Sequence, residues 1–156
     1  MAILTFVMFT VWALVRSFMN RPAGDYETEV CDIRLKDEKY DEAINAANKA
    51  LEKTPNHRGA MMCKALVFIS QKKYIEANTE LSSLIIFLEK NLEKDDKTGI
   101  GTLAAAYANR GIIKDRNKNY RGALEDYVKA LGIDHEAVAG PGLGTVILNY
   151  KYKSSS

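Results

Sequence analysis

The residues that could support catalysis are few and widely separated in this 156-residue chain. His57 and His135 lack neighbours at the spacing of metal ligands, and neither belongs to a Ser-His-Asp or Cys-His set. The glycine cluster at residues 140–144 (GPGLG) lacks the Lys-Ser/Thr pair of a phosphate-binding loop, so we interpret it as a turn. We therefore predict that the protein is not an enzyme, and we expect no catalytic residues, metal, cofactor or small-molecule substrate.

The only cysteines are Cys31 and Cys63, each near the middle of a predicted helix. A disulfide between them is one possibility. However, two cysteines without a dense disulfide framework are more typical of a reducing compartment, and we expect both to be reduced and structural.

The charge balance argues against nucleic acid as a partner. Lysine and arginine number 22, aspartate and glutamate 20, and the net charge is +2. Proteins that bind nucleic acid usually show a concentrated basic excess, which is absent from this sequence.

The first twenty residues are strongly hydrophobic, since residues 2–15 (AILTFVMFTVWALV) are apolar around the whole circumference of a helix. No basic residue precedes Arg16 and no small-x-small site follows, which disfavours a cleaved signal peptide. An interfacial helix would need a polar face. We therefore predict a single-span membrane anchor in residues 1–20, contacting lipid through residues 2–19. The alternative is a hydrophobic helix that packs onto the following domain or into an oligomer.

Basic residues after the predicted span set its orientation. They are Arg16, Arg21, Arg34, Lys36 and Lys39. Because positive charge accumulates on the cytoplasmic side, we expect a single-pass membrane protein whose C-terminal domain is cytoplasmic.

The elements behind the hydrophobic segment repeat. A tyrosine that follows a polar turn precedes an alanine by three residues, in three places. These pairs are Tyr40 and Ala43, Tyr74 and Ala77, and Tyr120 and Ala123. The tyrosines are separated by 34 and then 46 residues, which is one period and one period with an insertion of 12. Such a period, with helical spacing inside each unit, predicts stacked helix-turn-helix units.

The pattern resembles the tetratricopeptide repeat (TPR) family, most clearly in residues 109–131. The small residue of the family's first helix corresponds to Cys31, Ala65 and Gly111, whereas Lys64 and Arg110 occupy a position that is usually apolar. The resemblance implies an all-α, right-handed superhelical array of about three units, preceded by the hydrophobic helix. We expect a TPR domain over residues 24–137, with units at about 24–57, 58–91 and 104–137, and a capping segment with a flexible tail at 138–156.

The insertion, at about residues 86–103, has a simple interpretation. An apolar stripe continues to Leu92, so we expect the second helix of the second unit to be long, followed by a polar loop through residues 95–101. The insertion is either an elaboration without function or, if Ile86 and Phe87 are exposed, a docking ridge.

The resemblance also implies a concave groove lined by the first helix of each unit. The groove positions are Asp25, Thr28, Asp32, Met62, Leu66, Ile69, Ala108, Asn109, Ile112 and Arg116. Family members that clamp the C-terminal carboxylate of a chaperone tail have lysine and asparagine where this chain has Thr28 and Asp32, which disfavours that ligand. Burial of the apolar groove residues by neighbouring helices or the tail is the alternative to binding.

We therefore predict a membrane-anchored TPR scaffold or adaptor that binds a protein or peptide partner in its groove. A small accessory or assembly subunit of a larger membrane protein complex is the alternative.

Overall fold

The computed structural model describes residues 2–19 and 21–134, which form seven α-helices and no strand. The helices are α1 (Ala2–Met19), α2 (Asp25–Lys36), α3 (Tyr40–Lys53), α4 (Arg58–Ser70), α5 (Tyr74–Asn91), α6 (Lys97–Arg116) and α7 (Tyr120–Ile133). The all-α prediction is thereby confirmed for this part of the chain.

The helices from α2 to α7 pack as three antiparallel pairs: α2 with α3, α4 with α5, and α6 with α7. The pairs are stacked, because α4 also packs against α2 and α3, and α6 packs against α4 and α5. The first helices of the pairs therefore form one layer, α2–α4–α6, and the second helices form the other. The repeated alanines Ala43, Ala77 and Ala123 are buried between the layers, where small side chains let two helices approach closely.

The turn inside each pair has the same geometry. Glu38, Lys72 and Lys118 occupy equivalent positions with φ of 59°, 60° and 61°. In the first turn, the Glu38 N–H donates to the Leu35 carbonyl at 3.1 Å and the Lys39 N–H donates to the Arg34 carbonyl at 2.9 Å, and the other two turns repeat the pattern. These bonds satisfy carbonyls at the end of the helix, at the cost of a left-handed conformation in a residue other than glycine.

The charged residues that depart from the usual family pattern form ion pairs between the layers. Lys64 Nζ lies 2.8 Å from a Glu80 oxygen, and Arg110 is paired with Asp126. The equivalent positions in the first unit hold an apolar pair, Val30 and Ala46. Lys64 and Arg110 are therefore compatible with the repeat, because each meets a carboxylate on the second helix of its own unit.

The insertion of 12 residues is divided between two helices. α5 and α6 have 18 and 20 residues, against 14 in α3 and 12 in α2. The prediction of a long second helix is confirmed, but the loop predicted through residues 95–101 is wrong beyond Asp96, because residues 97–101 belong to α6. Asp96 caps that helix by accepting a hydrogen bond from the Gly99 N–H at 2.8 Å. Gly99 lies so close to Leu92 that a Cβ there would come within 2.4 Å of it.

The predicted membrane anchor, and with it the single-pass localisation, is wrong. Among the described residues, no helix has both the length and the apolar character needed to cross a bilayer. The 18 residues of α1 extend about 27 Å at 1.5 Å per residue, which is short of the roughly 30 Å hydrocarbon core, and they include Arg16. The described part of α1 makes no contact with helices α2 to α7.

The expectation of reduced cysteines is also wrong. A disulfide joins Cys31 on α2 to Cys63 on α4, with a Cα–Cα distance of 6.4 Å. Both residues lie on the faces where the two helices pack, and their side chains are buried. Packing of the first two units therefore brings together two cysteines that are 32 residues apart in sequence.

Three predictions fall outside the described residues. They are the capping segment at 138–156, the turn at 140–144, and the last residues of the third unit beyond Asp134, which include His135. On the described surface of α7, an apolar stripe formed by Leu124, Val128 and Leu131 is exposed.

Candidate functional site

The groove implied by the resemblance corresponds to the outer face of the α2–α4–α6 layer, and the α2 side of this face, which we call the α2 wall, is acidic. Asp25, Glu29 and Asp32 recur at intervals of four and three residues, so they lie on one face of the helix. Asp32 is exposed to solvent, yet the pKa of its carboxyl is raised. Partial loss of hydration is the main cause, and the charge of Glu29 adds to it while Lys36 opposes it.

A histidine, His57, contacts the first residue of α2, Asp25, at the beginning of the α2 wall. His57 Nε2 lies 2.8 Å from Asp25 Oδ1, and Nδ1 accepts a hydrogen bond from the Ala60 N–H at 3.2 Å. Nδ1 is therefore the acceptor, and the Nε2 proton is donated to Asp25. The Thr28 hydroxyl lies 3.3 Å from Nδ1, but it donates to the Gly24 carbonyl at 2.9 Å. The residues Asp25, Thr28 and His57 thus join the beginnings of α2 and α4, and the Nδ1 lone pair is already engaged.

The middle of the groove is apolar. Met62, Leu66 and Ile69 follow one another at intervals of four and three residues on α4, and each is partly exposed. By contrast, Ala65 and Val67 on the same helix are completely buried. Met62 and Ile69 also pack against the main hydrophobic core. The stripe formed by Met62, Leu66 and Ile69 is therefore supported by the core on one side and accessible to solvent on the other.

The α6 side is mixed. Asn109 is partly exposed, and its amide donates to the Ala105 carbonyl at 2.9 Å. Arg116 is exposed at the far end, where it donates to the Tyr74 hydroxyl at 2.6 Å and its guanidinium stacks over the Tyr74 ring at 5.5 Å. Ala108 and Ile112 are buried, at 0% and 5% exposure, so these two predicted groove residues serve packing.

The ten residues predicted to line the groove therefore fall into three groups. Asp25 and Thr28 form the helix-start cluster with His57, and Asp32, Met62, Leu66, Ile69, Asn109 and Arg116 retain accessible surface. The remaining two, Ala108 and Ile112, are buried. That a ligand contacts the accessible residues stays a prediction.

A cavity that sequence reasoning missed lies beside the starts of α2 and α4. Its volume is about 350 Å³. The lining residues are Pro22, Asp25, Asn56, His57, Arg58, Phe87, Leu88, Asn91, Leu92 and Asp96. Half of them come from the end of α5 and the loop to α6, so the insertion builds this cavity. The Ile86–Phe87 pair was the available signal, but the structure divides it: Phe87 lines the cavity and Ile86 is 66% exposed.

No group of three histidine, cysteine or acidic side chains suited to a metal ion occurs within residues 2–19 and 21–134. The charged side chains near the cavity are instead paired with one another, as in the contact of Arg58 with Asp96. That contact, together with a hydrogen bond from the Gly99 N–H, lowers the pKa of the Asp96 carboxyl.

No family model matches the chain. Over 100 residues, or 64% of its length, it is 32% identical to RNA polymerase II-associated protein 3 from Xenopus laevis, and it is equally similar to the protein of that name from Xenopus tropicalis. The chain spans 13% of the length of these relatives.

Two solved structures share the architecture. The Arabidopsis OM64 TPR domain has a TM-score of 0.60 at 18% identity, covering 72% of this chain and 83% of that domain. The first TPR of Spaghetti (RPAP3), bound to the HSP90 peptide SRMEEVD, has a TM-score of 0.61 at 18% identity, covering 86% of this chain and 94% of that one. Together with the stacked helix pairs, this likeness shows that the chain has a tetratricopeptide repeat fold.

Proposed function

We propose that this protein is a non-enzymatic adaptor that binds a short segment of a partner protein in the groove of its α2–α4–α6 layer. The main support is the stripe of Met62, Leu66 and Ile69, which remains partly exposed although Ala65 and Val67 on the same helix are completely buried. A row of adaptable apolar side chains between two polar walls suits an apolar segment with flanking polar residues.

The structural neighbours support the same function. The first TPR of Spaghetti is a domain of this fold that holds a heptapeptide, and it aligns with 86% of this chain. The peptide itself is a poor match for this groove, because SRMEEVD carries three acidic side chains and the α2 wall presents Asp25, Glu29 and Asp32. We therefore propose that this chain binds a peptide, but not the peptide SRMEEVD that the Spaghetti domain binds.

The adaptor function can be tested with the full chain and a displayed library of random peptides. Leu66→Glu places a charge in the middle of the stripe, and we expect it to abolish the enrichment seen with the unchanged protein. Ile75→Glu is the matched control, since Ile75 is 81% exposed on the second helix of its unit, outside the groove layer. Recovery of the same peptides by both variants and the unchanged chain would exclude the groove as the binding site.

A second function, that of an accessory subunit in a larger protein complex, is favoured by α1. Its side chains Phe6, Met8, Phe9 and Leu14 are 65–70% exposed, and its described residues do not pack on the repeats. Packing against another subunit would remove this apolar surface from water. Replacing Phe6 and Phe9 by serine should then reduce the mass of the native assembly measured by sedimentation, and an unchanged mass would count against this function.

A further inference from the structure

The carboxylates of the α2 wall differ in whether they are already paired. Asp25 is bound by His57, and Glu29 is bound by Arg21 at 3.0 Å. Asp32, in contrast, has no ion pair within 4 Å among the residues that the structure describes, and its side chain is exposed. Lys36, one helical turn further on, acts on Asp32 through its charge without forming an ion pair, so Asp32 is the carboxylate of this wall that is open to a cation from outside.

The disulfide fixes the position of Asp32 relative to the apolar stripe. Asp32 directly follows Cys31, and Met62 directly precedes Cys63, to which Cys31 is bonded. Leu66 lies three residues beyond Cys63, which is a rise of about 4.5 Å along α4. Because the Cα atoms of Cys31 and Cys63 lie 6.4 Å apart, Asp32 lies beside the apolar stripe, at roughly the distance that one or two residues of an extended peptide span.

From this arrangement, and resting on the adaptor function proposed above, we propose that the groove selects a basic and apolar peptide. The segment carries a lysine or arginine that pairs with Asp32, within two residues of a bulky apolar side chain that packs on Met62 and Leu66. SRMEEVD contains one Arg-Met pair, but its three acidic side chains outnumber that basic residue and would face Asp32 and Glu29, so the segment as a whole is disfavoured.

The charge of the recovered ligands gives the first test. In a selection from a random displayed library on the full chain, we expect Lys and Arg to be enriched at least threefold over the input and Asp and Glu to be depleted. The same selection on Asp32→Lys should lose this enrichment. Peptides that depend on Leu66 but show no basic enrichment would overturn this inference and leave the adaptor function standing, whereas failure to recover any Leu66-dependent peptide would overturn both.

The affinity of the most enriched peptide for matched variants gives the second test. We expect Asp32→Asn to weaken binding at least fivefold and to make it less sensitive to salt, because one pairing charge is lost. Asp95→Asn is the control, since it removes the same charge from an exposed position in the loop between α5 and α6 and should change the affinity less than twofold. Equal weakening by the two variants would show that only net charge matters and would contradict a pairing at Asp32.

Discussion

Arg110 on α6 donates two hydrogen bonds to the carboxylate of Asp126 on α7, from Nε and from Nη2, each at 2.8 Å. Lys114 Nζ also lies 2.8 Å from Asp126, whose side chain is only 3% exposed. The first unit places Val30 and Ala46 at the equivalent positions, and the second places Lys64 and Glu80. The same pair of positions in the repeat thus accommodates two apolar residues or an ion pair, provided that the residues on both helices are replaced together.

We predict that breaking this pair is costly and that replacing it as a whole is not. Arg110→Leu should lower the free energy of unfolding by about 3 kcal/mol, the lower end of the cost of an unpaired buried charge, because Lys114 still pairs with Asp126. Arg110→Val combined with Asp126→Ala recreates the first unit's apolar pair and should recover at least about 2 kcal/mol of that loss. Urea unfolding of the three proteins measures this. A double variant less stable than Arg110→Leu would contradict the interpretation.

The same pair predicts a pH dependence. Burial alone would raise the pKa of Asp126, but hydrogen bonds from Arg110 and Lys114 outweigh it, so the pKa lies below its ordinary value of 3.8. A lowered pKa in the folded state stabilises the protein above the ordinary value and ceases to do so as the pH falls through the folded pKa. The difference in unfolding free energy between the unchanged protein and Asp126→Asn should therefore be constant above about pH 5 and shrink below about pH 4. A difference that grows on acidification would contradict this assignment.

Reduction of the disulfide should destabilise the array. The bond closes a loop of 32 residues, for which the lost chain entropy of the unfolded state corresponds to about 3–4 kcal/mol. We expect dithiothreitol to lower the urea midpoint of the unchanged protein and to leave that of Cys31→Ala/Cys63→Ala unaltered. Identical unfolding curves with and without reductant would show that the bond contributes nothing.

The three left-handed turn residues offer a stabilising change. Glu38, Lys72 and Lys118 all have φ near 60°, a conformation that costs a residue with a side chain about 1 kcal/mol or more. Replacing each by glycine should raise the unfolding free energy by about 0.5–1 kcal/mol per site, net of the greater freedom of glycine in the unfolded chain. Lys49→Gly, on an exposed face inside α3, should lower it by a similar amount. Thermal unfolding that ranks the triple variant below the unchanged protein would contradict this expectation.

The repeated tyrosine and alanine positions were sufficient to predict the stacked pairs, because each marks a contact inside a single unit. Gly111 illustrates why, since a Cβ there would come within 2.6 Å of Tyr127, sixteen positions later in the same unit. The features that sequence reasoning missed depend on contacts between units. The Cys31–Cys63 bond and the cavity beside His57 arise only when helices from different units are brought together.

Helix length explains the other differences. Gly99 and Gly101 suggested a loop, but capping by Asp96 and the close approach of Leu92 favour a helix that contains them. The apolar character of residues 2–15 suggested a membrane span, yet the helix they belong to has only 18 residues and includes Arg16. For the predicted groove, helical periodicity placed Met62, Leu66 and Ile69 on one face of α4, and the structure leaves all three partly exposed. Periodicity could not show that the neighbouring helices bury Ala108 and Ile112.

Methyl NMR of the full chain with a selected peptide shows whether the peptide binds at the groove residues or elsewhere on the surface. We expect the methyl signals of Met62, Leu66 and Ile69 to shift on addition of peptide, while those of Ile75, Ile86 and Leu124, which are exposed on the second-helix layer, stay in place. Shifts confined to Leu124 and Val128 on α7, with the α4 signals unchanged, would contradict binding in the groove.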